Sequence, residues 1–265
     1  MKTELIELIG CRGDTLRGVL SQSGMSHQVV LMLHGFERAA SSEPKFKHLA
    51  DALERAGVAS FRLDFTGCGL SDGNFQQNTT STYAEDVRLT LSYLKERDFL
   101  PYAVVTHSLA ACVLASLDAE TQEEFERVVF IAPALNQKQL LRYWFVKNHI
   151  KKKDPSFRVT WGNYAKFLDE DAFGEDCARA DKMSKANFVG AEYFLENKEK
   201  NYVEKVELLL HRALLVHGSG DDTVPLESLP IIFPNQLIVK NGDHELERPD
   251  LIKQWLPDAV KFLVP

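Results

Sequence analysis

Apolar and polar positions alternate along this chain in two rhythms, one of strands and one of helices. Runs that are apolar throughout, or apolar at every second residue, lie at about 3–9, 14–20, 28–33, 58–64, 102–106, 127–132, 213–217 and 236–240 and read as eight strands. Between most of them apolar residues return at helical spacing. Phe46, Leu49, Ala50 and Leu53 share one face, Tyr83, Val87, Leu91 and Leu94 another, and Ile252, Trp255, Leu256, Ala259 and Leu263 a third near the end. Strand, helix, strand in repetition predicts an α/β fold: an eight-stranded, mostly parallel sheet with helices on both faces and functional loops at the carboxyl ends of its strands.

The stretch from about Asn136 to Glu204 breaks this alternation. It is too long for one connecting helix and reads as a helical cap folded over the edge where the carboxyl ends of the strands lie. The chain then divides into a core of residues 1–135 and 206–265 and a cap of residues 136–205. The cap holds twelve of the 26 aromatic residues, among them Tyr143, Trp144, Phe145, Phe157, Trp161, Tyr164, Phe167 and Tyr193. Such a lid can line an apolar pocket or simply pack onto the body, and the sequence allows both.

Composition narrows the class. A length of 265 residues suits one α/β domain with an insertion, and a formal charge of −7 argues against a nucleic-acid binder. The basic run Lys147-Asn148-His149-Ile150-Lys151-Lys152-Lys153 reads as a solvated face. The N-terminal segment Met1–Leu8 alternates as a strand does and lacks the continuous apolar stretch of a secretion signal. No run approaches the ~20 apolar residues that span a bilayer, so the expectation is a cytoplasmic protein without a membrane span. Cys11, Cys68, Cys112 and Cys177 show no Cys-x-x-Cys pairing and read as free thiols, and the histidines show no metal-ligand spacing. Neither a metal nor a cofactor is expected.

Three of the predicted strands end in residues that carry chemistry. Val104-Val105-Thr106-His107-Ser108-Leu109-Ala110-Ala111 passes from a β-branched run straight into a small-residue helix pattern. That predicts a sharp turn which strains the backbone of Ser108 and holds its side chain out above the sheet edge. A serine that merely caps a helix gives the same octapeptide, and two later segments decide between the readings. Leu214-Leu215-Val216-His217-Gly218-Ser219-Gly220-Asp221-Asp222 runs from a strand into two acids, and Leu237-Ile238-Val239-Lys240-Asn241-Gly242-Asp243-His244 runs from another into a histidine. A serine hydroxyl needs an imidazole to take its proton, and the imidazole needs a carboxylate to set its tautomer and stabilise its charge. Asp221 and Asp222 both stand open as that acid, while Asp243 reads as a turn residue.

Serine, then aspartate, then histidine, with the serine on a strand-to-helix elbow, is the order found in α/β-hydrolases. Other segments resemble that family. Val29-Val30-Leu31-Met32-Leu33-His34-Gly35-Phe36 resembles the strand and His-Gly turn that supply half of its oxyanion hole. Phe61-Arg62-Leu63-Asp64-Phe65-Thr66-Gly67-Cys68-Gly69-Leu70-Ser71-Asp72-Gly73 resembles the next strand and its glycine turn, and that turn with Asn74-Phe75 is most similar to bacterial cinnamoyl (feruloyl) esterases. The resemblance runs from about Gly18 to the end, leaving out the middle. It implies the α/β-hydrolase fold and a carboxylesterase-type serine hydrolase, with Ser108 as nucleophile and His244 as base. It selects Asp221 over Asp222, since in the family the acid commonly lies three residues after the glycine of His-Gly. The implied oxyanion donors are the backbone N–H groups of Phe36 and Leu109, and the implied substrate is a small-molecule ester with a small to medium apolar or aromatic acyl group. His107 becomes a structural neighbour of the nucleophile, and His34 and His217 brace turns.

A thioesterase or a carbon–carbon bond hydrolase would use the same three residues, and fold alone does not separate them. Haloalkane dehalogenase and epoxide hydrolase relatives carry aspartate at the elbow, which this chain does not. A non-catalytic, ligand-binding homologue is the alternative of a different class. Its support is the elbow itself: the usual Gly-x-Ser-x-Gly is Thr106-His107-Ser108-Leu109-Ala110 here. A β-branched threonine in that corner either finds small neighbours in Ala110 and Ala111 or distorts the turn. Glu245, directly after the candidate base, either faces solvent or turns anionic substrates away.

Overall fold

The computed structural model describes residues 2–10, 12–22, 27–180, 182–184 and 187–265. The eight predicted strands all form, as β1 (Lys2–Ile9), β2 (Thr15–Gln22), β3 (Gln28–Leu33), β4 (Ala59–Asp64), β5 (Leu100–His107), β6 (Arg127–Ile131), β9 (Ala213–Gly218) and β10 (Asn235–Val239). They make one sheet in the order β1-β2-β4-β3-β5-β6-β9-β10. β2 runs antiparallel to β1 and to β4, and every pairing from β4 across to β10 is parallel. The fold is that of an α/β-hydrolase.

The burial of β3 shows how a continuous apolar run serves a sheet covered on both sides. Val29, Leu31 and Leu33 enter one core while Val30 and Met32 enter the other, because successive side chains of a strand point to opposite faces. α1 (Pro44–Arg55) and α9 (Pro249–Leu263) cover the Val30 side with Phe46, Leu49, Leu53, Ile252 and Trp255. α2 (Thr80–Glu96) and α3 (Ala110–Ser116) cover the Leu31 side with Tyr83, Val87, Leu91, Ala111 and Leu114. Helix starts follow from local chemistry: Pro44 and Pro249 open α1 and α9, and Thr79 and Thr82 form a reciprocal capping box on α2. The short α4 (Ala119–Glu123) leads to β6.

Between β6 and β9 the chain holds α5 (Gln137–Lys153), α6 (Glu170–Ala178), the hairpin β7 (Lys182–Met183) and β8 (Phe188–Val189), α7 (Ala191–Asn197) and α8 (Val203–Val206). Leu141, Phe173, Val189, Tyr193 and Tyr202 of this insertion are continuous with the α2–α3 core. Among the described residues no helix is long and apolar enough to cross a membrane. Cys68, Cys112 and Cys177 are buried free thiols, and Cys11 lies outside the described residues.

Candidate active site

Parallel strands present all their carboxyl ends at one edge, and Ser108, Asp221 and His244 follow β5, β9 and β10 there. Ser108 has φ +54°, the left-handed backbone region that a strand-to-helix elbow imposes. Its N–H donates to the Ile131 carbonyl at 3.0 Å and its carbonyl accepts from Ala134 N–H at 3.1 Å, which ties the turn to the end of β6. Thr106 does not spoil this geometry. It stays in the strand, paired with Leu33 and Phe130, and Ala110 and Ala111 leave the opposing corner small. Gly35 supplies the missing room: a Cβ there would stand 2.9 Å from His107 Nδ1 and 3.1 Å from Ser108 Cβ, so only glycine lets this loop press against the elbow.

The three side chains meet. His244 Nε2 lies 3.0 Å from Ser108 Oγ, and His244 Nδ1 lies 2.7 Å from Asp221 Oδ2. The other carboxylate oxygen of Asp221 accepts from Thr223 N–H and Val224 N–H, both at 2.9 Å, so the acid is aimed by its own loop. With Nδ1 donating to Asp221, the lone pair of Nε2 faces the serine hydroxyl. Asp222 turns outward, where its carboxylate meets Lys147 at 3.0 Å. The N–H groups of Phe36 and Leu109 have no hydrogen-bond partner among the described residues. Their loops flank Ser108.

The remaining histidines support the frame. Burial holds His107 neutral, far below its ordinary range, and its Nε2–H donates to the backbone carbonyl of His244 at 3.0 Å. His34 accepts the Phe65 N–H at 3.0 Å and burial lowers it to about 4. His217, lowered chiefly by burial, donates to the Val224 carbonyl at 2.9 Å and so braces the acid loop. Asp243 accepts from Leu246 N–H at 2.9 Å within its own turn.

Glu245 does more than face solvent: although its side chain is 26% exposed, the carboxylate pairs with Arg38 and lies 3.6 Å from Lys45 Nζ. Burial raises its affinity for a proton, but Lys45, Arg38 and the neighbouring His244 outweigh that and hold the carboxyl below its usual range. Sequence reasoning missed Lys45, whose place beside Phe46 at the start of an apolar helix face is a faint signal. Among the described residues, Glu43, His107 and Glu245 offer atoms within 4.8 Å of one another, a spacing a metal ion could use, but Lys45 and Arg38 already bring positive charge to that cluster.

The aromatic residues of the insertion divide into groups. Tyr143, Trp161 and Tyr164 pack on one another, and α5 grips the acid loop through Tyr143 Oη to the Asp222 carbonyl at 2.9 Å and Trp144 Nε1 to the Thr223 carbonyl at 2.6 Å. Tyr193 instead packs on Phe36, ring centres 4.9 Å apart, and Phe75 closes on the same ring at 5.2 Å. Phe157 and Phe167 pair on the exposed surface.

A family model described as serine aminopeptidase, S33, matches residues 24–230, a span that holds Ser108 and Asp221. Solved structures share the architecture at low identity. Est1E from Butyrivibrio proteoclasticus bound to ferulic acid gives a TM-score of 0.67 at 18% identity, covering 97% of this chain and 96% of that one. The α/β hydrolase GrgF from Penicillium sp. sh18 gives 0.68 at 16%, covering 99% and 98%. The esterase domain of a Rhodothermus marinus protein gives 0.64 at 19%, covering 100% and 97%. A sequence search of curated proteins finds no match.

Proposed function

We propose a catalytic reading for this chain, which belongs to the serine aminopeptidase, S33, family of hydrolases: it cleaves carboxylic esters through Ser108, His244 and Asp221. The observation that carries it is the hydrogen-bonded relay from Asp221 Oδ2 through both ring nitrogens of His244 to Ser108 Oγ. His244 Nε2 takes the hydroxyl proton as Ser108 Oγ attacks the ester carbonyl. The resulting oxyanion receives the N–H groups of Phe36 and Leu109, each such donor being worth about 3 kcal/mol in the transition state. Collapse expels the alcohol, protonated by His244, and leaves an acyl-serine. Water, deprotonated by the same imidazole, then releases the acid.

The reading extends to the acyl group. Phe36 carries one oxyanion donor on its backbone and an apolar ring that Phe75 and Tyr193 extend, which favours a small to medium apolar or aromatic acyl part. Residues 136–205 act as the cap over this edge, with Tyr193 its contribution to the acyl side. The left-handed turn at Ser108 sets its hydroxyl 3.0 Å from His244 Nε2, which favours turnover over a binding-only role.

The test is hydrolysis of p-nitrophenyl esters, acetate to octanoate with an aromatic ester and a thioester beside them, by wild type and Ser108→Ala. Turnover and fluorophosphonate labelling present in wild type and lost in the variant are expected. Full activity in Ser108→Ala would reject the mechanism, and thioester preferred over every oxygen ester would move the substrate class.

A further inference from the structure

Lys45 is a fully buried ammonium beside the proposed active site, and its partners are arranged with a purpose. From the first turn of α1 its Nζ lies 3.1 Å from Glu43 Oε1, 2.9 Å from Glu247 Oε1 and 3.6 Å from Glu245 Oε2. Glu245 pairs in turn with Arg38, which also approaches Glu43 at 3.7 Å. The cluster therefore joins two loops that must keep one fixed relation. Arg38 stands two residues after Phe36 on the oxyanion loop, and Glu245 follows His244 directly.

Apolar packing already anchors the histidine loop. Leu246 is fully buried and its carbonyl accepts from Trp255 Nε1 at 3.2 Å. Apolar contacts resist removal from the core but define position loosely, whereas hydrogen-bonded ion pairs are directional and lose energy on small displacements. The imidazole has to satisfy 3.0 Å to the serine and 2.7 Å to the aspartate at once. A buried charge network is costly to assemble, so its presence here calls for a return beyond folding.

We propose that Lys45, with Arg38 and Glu245, is the positioning device that fixes His244 between Ser108 and Asp221; this rests on the catalytic reading above. All three act through His244 and not on substrate. Glu245 also adds a negative charge close to the imidazole. Among the described residues, the other ionisable groups around His244 are Asp221 and His217 on the acid side, Asp243 in its own turn, and His107 at the end of β5, whose ring centre is 5.0 Å away. Of these, His107 and His217 are held neutral by burial and Asp243 holds the turn of the histidine loop, so Glu245 and its cations are the charges that substitution can alter without touching the relay itself.

Two substitutions give opposite signs that a purely structural role would not. Glu245→Gln keeps the shape and removes the negative charge, so protonated His244 loses support: kcat should fall about tenfold with KM nearly unchanged, and the acid limb of the pH profile should move to lower pH. Lys45→Met leaves Glu245 opposed by Arg38 alone, so kcat should again fall while the acid limb moves to higher pH. Fluorophosphonate labelling of Ser108 should slow in both. If Lys45→Met does not fold, Glu245→Gln alone decides. Folded variants with wild-type kcat and an unmoved acid limb would overturn the proposal. Wild type without turnover or labelling would instead reject the catalytic reading on which it stands.

Discussion

Gly218 at the end of β9 and Gly242 in the turn after β10 pack backbone against backbone. A Cβ on Gly242 would stand 2.8 Å from the Gly218 Cα, and one on Gly218 would run into the Gly242 carbonyl. That carbonyl also accepts from Gly220 N–H at 2.9 Å, and Ser219 Oγ accepts from Asn241 N–H at 3.0 Å. This seam sets the separation of the acid loop from the histidine loop. Gly218→Ala should therefore cost about 1–3 kcal/mol, the usual penalty of overpacking, and lower turnover at least about tenfold by parting Asp221 from His244. Urea midpoints and ester hydrolysis measure the two effects. Gly162→Ala, with nothing within 4 Å of the added carbon, is the control and should leave both unchanged.

The two adjacent acids should separate cleanly on substitution. Asp221→Asn keeps the size of the side chain but sets the wrong tautomer on His244, an effect of about 10⁴-fold on kcat in other triads. Asp222→Ala should stay within about twofold of wild type. Its carboxylate is exposed and, among the described residues, pairs with Lys147 alone, and its tie to α5 runs through a backbone carbonyl that alanine retains. Steady-state kinetics on one ester decide the matter. The reverse ranking would make Asp222 the acid.

Buried thiols should resist reagents. Burial pushes Cys68 up to about 12, a contact with the Tyr83 hydroxyl offsetting it only in part, and burial raises Cys112 and Cys177 as well. The thiolate is the reactive form. Iodoacetamide treatment of native protein near pH 8, mapped by mass spectrometry, should leave all three unmodified, and denaturant should expose them. Labelling of Cys68 before unfolding would mean that the glycine turn opens in the native state.

Much of this architecture is legible in sequence because its signals are local. A strand buried on both faces advertises itself by an unbroken apolar run, as Val29–Leu33 does, and a helix by the spacing of residues such as Phe46, Leu49 and Leu53. Ser108, Asp221 and His244 stand out because each follows such a run, so parallel pairing alone brings them to one edge. Lys45 is not legible in the same way. A lysine beside Phe46 looks like surface, and its carboxylate partner Glu247 lies 202 residues further on. The roles of the aromatic residues are hidden for the same reason: Tyr193 differs from Tyr143 only in what the fold sets against it, Phe36 in one case and the acid loop in the other.

Glu43 should make stability depend on pH in an unusual direction. Burial pushes its carboxyl up to about 7 from an ordinary value of 4.5, Lys45 pulling the other way without prevailing. With Glu43 protonated, the cluster balances Lys45 and Arg38 against Glu245 and Glu247. Below about pH 4.5 both folded and unfolded chains hold the proton and nothing is lost. Between about 4.5 and 7 the unfolded chain releases it while the folded one keeps it, so stability falls as pH rises through that window, by about 3 kcal/mol in all. Glu43→Gln stays neutral throughout, retains an oxygen for Lys45, and replaces the partnerless Oε2 with an amide donor. The variant should exceed wild type in urea midpoint near pH 8 and converge with it near pH 5. A gap that is constant with pH, or a variant weaker near pH 8, would mean that Glu43 works as an anion paired to Lys45 and that the buried cluster carries its full negative charge.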